Sequence, residues 1–143
     1  MSNNNKILVY IASPYAVVPQ GGHITPDEIK SIVLKRYELV SKVTADVIDN
    51  CPHIIPFSPI AYTHPLMEYV KSVVDWIELD IELLRRCDWL LKLELPGWEL
   101  SKGMKKETAE ADRLGMPILY AKPTEIIGLL KYNYDRYLEY GAI

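Results

Sequence analysis

Four short apolar runs alternate with longer amphipathic segments along the chain. The first run is continuous and rich in β-branched residues, which is typical of a strand covered on both faces, and the apolar character of the other three runs also predicts strands. The runs lie at residues 6–12, 53–57, 88–93 and 116–121. Because strands alternate with helices, we predict a doubly wound α/β fold, flavodoxin-like or Rossmann-like, with a parallel sheet of four or five strands and helices on both faces. The first and third runs should form the central strands.

The amphipathic segments predict four helices. The first begins at the capping sequence of residues 25–28, in which Thr precedes Pro and Glu follows, and it continues for about twenty residues to Asn50. Residues 58–65 are predicted to be a loop. The other three helices are predicted at 66–86, from the neighbourhood of Ser101 to Gly115, and at 125–140 with Thr124 as its cap.

Two carboxylates interrupt the apolar faces of these helices. Glu107 shares a stripe with Met104 and Ala111. Asp80 follows Ile77 by three residues and therefore lies on the apolar side of its helix. A charge on a core-facing stripe is costly unless it is paired or functional. Paired structural charges would explain both residues, and so would two carboxylates that act on a glycosidic bond.

Ligands of parallel α/β sheets bind outside the carboxyl ends of the strands. Four segments should meet there, namely 13–23, 58–65, 94–103 and the loop after Tyr120. Glu107 lies about one turn into the helix that leaves the third segment. We therefore expect it to be desolvated by burial and still held as an anion by the positive helix end.

Several side chains near this edge have both a functional and a structural interpretation. The hydroxyl of Tyr10 could touch Glu107, although a core tyrosine needs no role. Trp98 is expected to be exposed and could stack on a base, or it could cover the edge of the core. Ser101 could contact a ligand or simply cap its helix. His64, beside a proline, is as well explained as a loop residue.

Composition excludes several classes of partner. A chain of 143 residues with a formal charge of −3 has neither the basic field of a nucleic-acid-binding protein nor an apolar run long enough for a membrane span. The polar N-terminus is not a signal peptide. Cys51 and Cys87 form no metal or redox motif and suit buried thiols in a reducing compartment. We expect one cytoplasmic domain over residues 1–143, with no metal or cofactor.

Three motifs together resemble a known family. The first strand carries Tyr10-Ile11-Ala12-Ser13, Asp80 precedes the strand-initial Asp88 by eight residues, and Gly103-x-x-x-Glu107 opens a helix. In this order they resemble the nucleoside 2-deoxyribosyltransferases and the related 2′-deoxynucleoside 5′-monophosphate N-hydrolases. The resemblance covers about residues 6–120, and the surrounding Leu-Pro-Gly-Trp-Glu sequence is similar to small bacterial and phage relatives.

The resemblance implies cleavage or transfer of an N-glycosidic bond in nucleotide salvage. Glu107 would be the nucleophile at C1′ of the sugar, and Tyr10 would orient Glu107. Asp80 would act as acid/base on the sugar hydroxyl or on the leaving base. Ser13 and Ser101 would contact the 5′ end of the substrate. The family is oligomeric, so a homo-oligomer is expected. The complete set of expected substrate contacts is Ala12, Ser13, Tyr15, Ser58, His64, Trp98, Ser101 and Gly103.

Departures from the family pattern leave the substrate open. Residues 14–16, Pro-Tyr-Ala, stand where the hydrolases have a phosphate-holding arginine-glycine turn, and they are closer to the Ser-Pro-aromatic sequence of the transferases. Lys105 and Lys106 precede the nucleophile where transferases usually have acidic or small residues, and they or Lys102 could neutralise a phosphate. Transfer or hydrolysis, nucleoside or monophosphate, therefore remain alternatives. So do a non-catalytic nucleotide sensor and an interaction protein that uses its tyrosine-rich last helix.

Overall fold

Four strands and five α-helices make up the part of the chain that the structure, a computed structural model, describes, namely residues 5–18 and 21–143. The strands are β1 (Ile7–Ala12), β2 (Ile54–Phe57), β3 (Trp89–Leu93) and β4 (Ile118–Ala121). The helices are α1 (Pro26–Asn50), α2 (Pro59–Met67), α3 (Trp76–Leu84), α4 (Lys102–Arg113) and α5 (Ile126–Tyr140), with a 3₁₀ turn at Trp98–Leu100. Within these ranges no helix has both the length and the apolarity to span a membrane.

The strands form one sheet in the order β2-β1-β3-β4, and every neighbouring pair is parallel. The two most apolar runs, β1 and β3, are the central strands, which confirms the prediction. A strand with neighbours on both sides and helices on both faces meets no water, and this explains why its sequence is apolar without alternation.

The sheet separates two apolar layers. Alternate residues of β1 point to opposite faces, so that Val9 and Ile11 pack with α1 and α5, whereas Tyr10 and Ala12 pack with α3 and α4. The predicted α/β class with helices on both faces is therefore confirmed. The layer of α3 and α4 is the one that contains both anomalous carboxylates.

The cap of α1 forms as predicted, because the Thr25 hydroxyl accepts the Glu28 N–H at 3.1 Å. The predicted loop at 58–65 is wrong. Ser58 caps α2 by accepting the Ala61 N–H at 3.1 Å, and a proline occupies the first helical position.

The prediction of one helix over residues 66–86 is also wrong. The chain leaves α2 after Met67 and forms a turn and an extended connection over 68–75. It then enters α3 behind a new cap at Asp75, which accepts the Glu78 N–H at 3.1 Å.

The prediction that Thr124 caps α5 is wrong. The residue before that helix is Glu125, whose carboxylate instead accepts the Lys122 N–H at 2.9 Å.

Candidate active site

A cleft of about 380 Å³ lies at the carboxyl edge of β1, between the loop that follows this strand and helices α2, α3 and α4. Its polar lining comes from Ser13, Thr63, Asp80, Ser101, Lys102 and Glu107. The rest of the wall is mostly apolar and includes Val17, Val18, Pro59, Ile60, Met67, Trp76 and Ile77. A concave, largely apolar space of this size with a few converging polar groups suits a small organic ligand.

Glu107 is one of the few buried charged or polar side chains of the described chain, with only 6% of its surface exposed. It projects from α4 toward the sheet, where the Tyr10 hydroxyl of β1 donates a hydrogen bond to its Oε2. Tyr10 is fully buried, and its ring lies 5.9 Å from that of Phe57 on the neighbouring strand. The sheet therefore holds the Tyr10 hydroxyl in place, and its hydrogen bond orients the Glu107 carboxylate.

Burial controls the protonation of this pair. It raises the pKa of Glu107 to about 8, an effect that the hydrogen bond from Tyr10 opposes and the charge of Asp80 reinforces. Burial and the charges of Glu107 and Asp80 raise the pKa of Tyr10 well above its ordinary value, so the phenol keeps its proton and remains a donor. The expectation that the helix end holds Glu107 as an anion is wrong. Glu107 lies in the second turn of α4, beyond the first turn in which the dipole acts.

Asp80 faces the same cleft from α3. Burial raises its pKa to about 7, so it can carry or release a proton near neutrality. In the described part of the chain, three buried side-chain atoms lack a hydrogen-bond partner: Oδ1 of Asp80, Oγ of Ser13 and Oγ of Ser41. The first two line the cleft. Since buried polar atoms in native proteins are nearly always satisfied, these two atoms are available for hydrogen bonds to a group in the cleft.

The start of α4 closes one end of the cleft. Ser101 caps the helix by accepting the Met104 N–H at 3.2 Å, which is its structural role, and the same residue lines the cleft with Gly103. Lys102 also lines the cleft. Lys105 is exposed on α4 and lies outside the lining, as does the next lysine along the chain. Of the three lysines considered for phosphate, Lys102 alone has the right place.

Tyr15 forms part of the opposite wall. Its hydroxyl lies 2.5 Å from Nδ1 of His64, and the imidazole stacks on Tyr37 with ring centroids 4.2 Å apart. His64 is thus outside the cleft lining and holds the tyrosine that lines it. His64 was expected to touch the substrate, but it instead holds Tyr15 in the wall of the cleft.

Three other expected contacts lie away from the cleft. Ala12 is fully buried beneath it, and the Ser58 hydroxyl is engaged in capping α2. Trp98 is half-buried and not exposed as expected, because it packs at the edge of the core beside Tyr120, with ring centroids 6.3 Å apart, and below the ammonium of Lys92. Its structural interpretation is therefore the one that the structure supports.

Most residues of the apolar wall were not among the predicted substrate contacts. Ile60, Thr63 and Met67 line the cleft from one face of α2, at the helical spacing i, i+3, i+7. That spacing was hidden because residues 58–65 were predicted to be a loop. The signal that would have found it is Ser58 followed by a proline, which is a common helix start.

A family model and a solved structure are similar to this chain. A family model described as a domain of unknown function, DUF1937, matches residues 7–122. None of the curated proteins matches the sequence significantly. Among solved structures, a 2-deoxyribosyltransferase from Leishmania mexicana is similar, with a TM-score of 0.44 and 19% sequence identity. The match covers 81% of this chain and 64% of the Leishmania chain, so it spans less than two thirds of that protein.

Proposed function

The chain belongs to the DUF1937 family, and we propose that it cleaves or transfers the N-glycosidic bond of nucleosides or nucleoside 5′-monophosphates, with Glu107 as the nucleophile. The observation that carries this proposal is the pair of carboxylates in one cleft. Glu107 is buried and receives a hydrogen bond from Tyr10, and Asp80 presents a buried oxygen without a partner. The sequence resemblance described above supports the same assignment.

The reaction takes place in two displacements. In the first, an ionised Glu107 oxygen attacks C1′, the bond from C1′ to the base nitrogen breaks, and Asp80 gives its proton to the departing base. In the second, water or another base attacks C1′ while Asp80 takes back a proton, and the ester bond to Glu107 breaks. The sugar configuration at C1′ is retained because it inverts twice.

The active form of the pair holds one proton. Both carboxyl groups have raised pKa values, and each negative charge opposes the ionisation of the other, so the pair titrates in two coupled steps near neutrality. The reaction uses the form in which the single proton lies on Asp80 and the charge lies on Glu107, where the Tyr10 hydroxyl stabilises it. This is the division of roles that a nucleophile and a general acid require.

The lining of the cleft suggests how the substrate lies. The apolar wall of α2 and α3, which includes Met67 and Trp76, provides a surface for the base. Ser13 and Ser101 line the cleft, and their hydroxyls would contact the 5′ end of the sugar. Lys102 stands beside them, and a 5′-phosphate would use its charge.

Base release tests the proposal. Purine and pyrimidine ribonucleosides, 2′-deoxynucleosides and their 5′-monophosphates are incubated with the protein, with and without a second free base, and the products are separated by chromatography. Product formed only with the second base indicates transfer, and product formed without it indicates hydrolysis. Glu107→Gln should lower turnover by roughly two powers of ten or more.

The control is Glu110→Gln, because Glu110 lies on the same helix and pairs with Arg113 at the surface. It should retain wild-type turnover. Calorimetry with the same compounds separates binding from chemistry, since Glu107→Gln should still bind them. A wild-type protein that binds nucleotides but releases no base would instead be a nucleotide sensor. A fully active Glu107→Gln variant would exclude Glu107 as the nucleophile.

A further inference from the structure

One arginine joins two loops that meet at the cleft. Arg36 lies on the stripe of α1 that faces the protein interior and is half-buried. Its Nη1 donates to the backbone carbonyls of Tyr15, at 3.2 Å, and Ala16, at 2.8 Å. Its Nη2 reaches the carbonyl of Pro96 at 3.4 Å. The first two carbonyls belong to the loop after β1 and the third to the loop after β3.

The second loop is shaped to receive the guanidinium. Gly97 has a φ of +90°, and a Cβ atom on this residue would lie 2.5 Å from Nη2 of Arg36. The positive φ favours glycine at this position, and a larger side chain would also have to displace the guanidinium of Arg36. The turn at Trp98–Leu100 follows directly and delivers the chain to Ser101, the cap of α4.

Both loops carry walls of the cleft. The loop after β1 contributes residues 15–18, and the loop after β3 leads into the lining residues 101–103. A planar guanidinium can hold carbonyls on two segments at once, which a lysine ammonium on a flexible stem does less well. Nothing in the proposed chemistry uses Arg36, although it interrupts the apolar stripe of its helix.

We propose that Arg36 is a positioning residue, which fixes the two walls of the cleft relative to each other and thereby sets the affinity for substrate. The statement about the walls stands on the geometry alone. The statement about affinity rests on the function proposed above. Arg36 touches no reacting group and acts through the backbone of the two loops.

Hydrogen exchange tests the first statement without any substrate. The amides of Trp98, Leu100 and Ser101 donate within the second loop at 3.0–3.2 Å, and the amide of Leu90 in β3 serves as a reference for global opening. In Arg36→Met, exchange at the three loop amides should rise roughly tenfold relative to Leu90. Arg36→Lys should give an intermediate rise.

The matched control is Arg86→Met, because Arg86 is exposed and pairs with Glu82 away from the cleft. Its loop amides should exchange as in the wild type. Loop amides in Arg36→Met that exchange as in the wild type, or that rise only in step with the Leu90 amide, would overturn the positioning role.

Steady-state kinetics test the second statement. For any compound from which the wild type releases base, Arg36→Met should raise KM roughly tenfold and change kcat much less, because the contact of Tyr10 with Glu107 lies on β1 and α4 and not on the loops. If Arg36→Met raises exchange at the loop amides but leaves KM unchanged, or lowers only kcat, the link between Arg36 and substrate affinity is overturned. If the wild type releases no base at all, the proposed function fails, while the exchange experiment still decides the role of Arg36.

Discussion

The two faces of the sheet are built from different kinds of residue. On the face of α1 and α5, the strand residues Val9, Ile11 and Leu91 pack into an apolar cluster. On the face of α3 and α4, the same strands bury Tyr10 and Leu90, and Tyr10 reaches a buried carboxylate. The first face has the composition that stability alone favours. The second face buries a carboxyl group, which is expected where a fold holds a functional site.

Leu90 and Leu91 allow the two faces to be compared directly. They are neighbours on β3, both are fully buried, and they point to opposite faces. Truncation of either to alanine should lower the free energy of unfolding by about 2–5 kcal/mol. Leu90→Ala should also lower kcat, because Leu90 pairs with Tyr10 across the sheet and supports the Tyr10 ring, whereas Leu91→Ala should not. Denaturant unfolding and base release per folded molecule measure the two effects.

An equal loss of activity in both variants would mean that the faces are not functionally distinct. The same result would weaken the proposal that Tyr10 must be held in place for Glu107 to react. Because activity is measured per folded molecule, the difference in kcat between the variants does not reflect their loss of stability.

Removal of the second carboxylate should have the next largest effect. Asp80→Asn keeps the shape of the side chain but removes the proton that the departing base needs, so turnover should fall by about 10²–10⁴. The limb of the pH–rate profile that reports loss of the Asp80 proton should also disappear. Glu78→Gln, at an exposed position two residues earlier in α3, is the control. A wild-type pH profile in Asp80→Asn would argue against Asp80 as the acid/base group.

The sequence predicted the sheet well because the strands carry a local signal. Continuous apolar character identified β1 and β3 as central, and the Thr25 cap identified the start of α1. The prediction of the boundary between α2 and α3 was wrong because Pro65 lies inside α2, and a proline normally indicates the end of a helix. Local patterns could not overrule that expectation, since the helix is stabilised by its tertiary packing.

The site was predictable in part for a similar reason. Helical spacing revealed that Glu107 faces the interior, but its partner Tyr10 lies 97 residues away and followed only as a possibility. The surroundings of Trp98 depend on Tyr120 in β4, and the role of Arg36 depends on two distant loops. Contacts between remote segments produce no periodic pattern in the sequence from which they could be predicted. The roles of the site residues and the homo-oligomer stay predictions.

The smallest expected effect is on stability, and it has opposite signs for two glutamates of α4. Burial raises the pKa of Glu107 from 4.5 to about 8, so the folded state holds a proton that the unfolded state releases. Its contribution is fully present below pH 4.5 and is lost as the pH rises through about 8. The pKa of Glu110 is instead lowered, first by its hydrogen bond from Arg113. Its contribution is present above 4.5 and is lost as the pH falls.

Glu107→Gln should therefore match the wild type near pH 5 and exceed its free energy of unfolding at pH 8 by at least about 1 kcal/mol, because one unit of pKa shift corresponds to about 1.4 kcal/mol. Glu110→Gln should be less stable than the wild type at pH 8, and the deficit should shrink toward pH 4. Urea unfolding of the three proteins at pH 4, pH 5 and pH 8 measures both differences. A Glu107→Gln variant that loses stability at pH 8 would mean that the carboxylate of Glu107 contributes to the fold, and the contrast between the two faces of the sheet would then lose its physical basis.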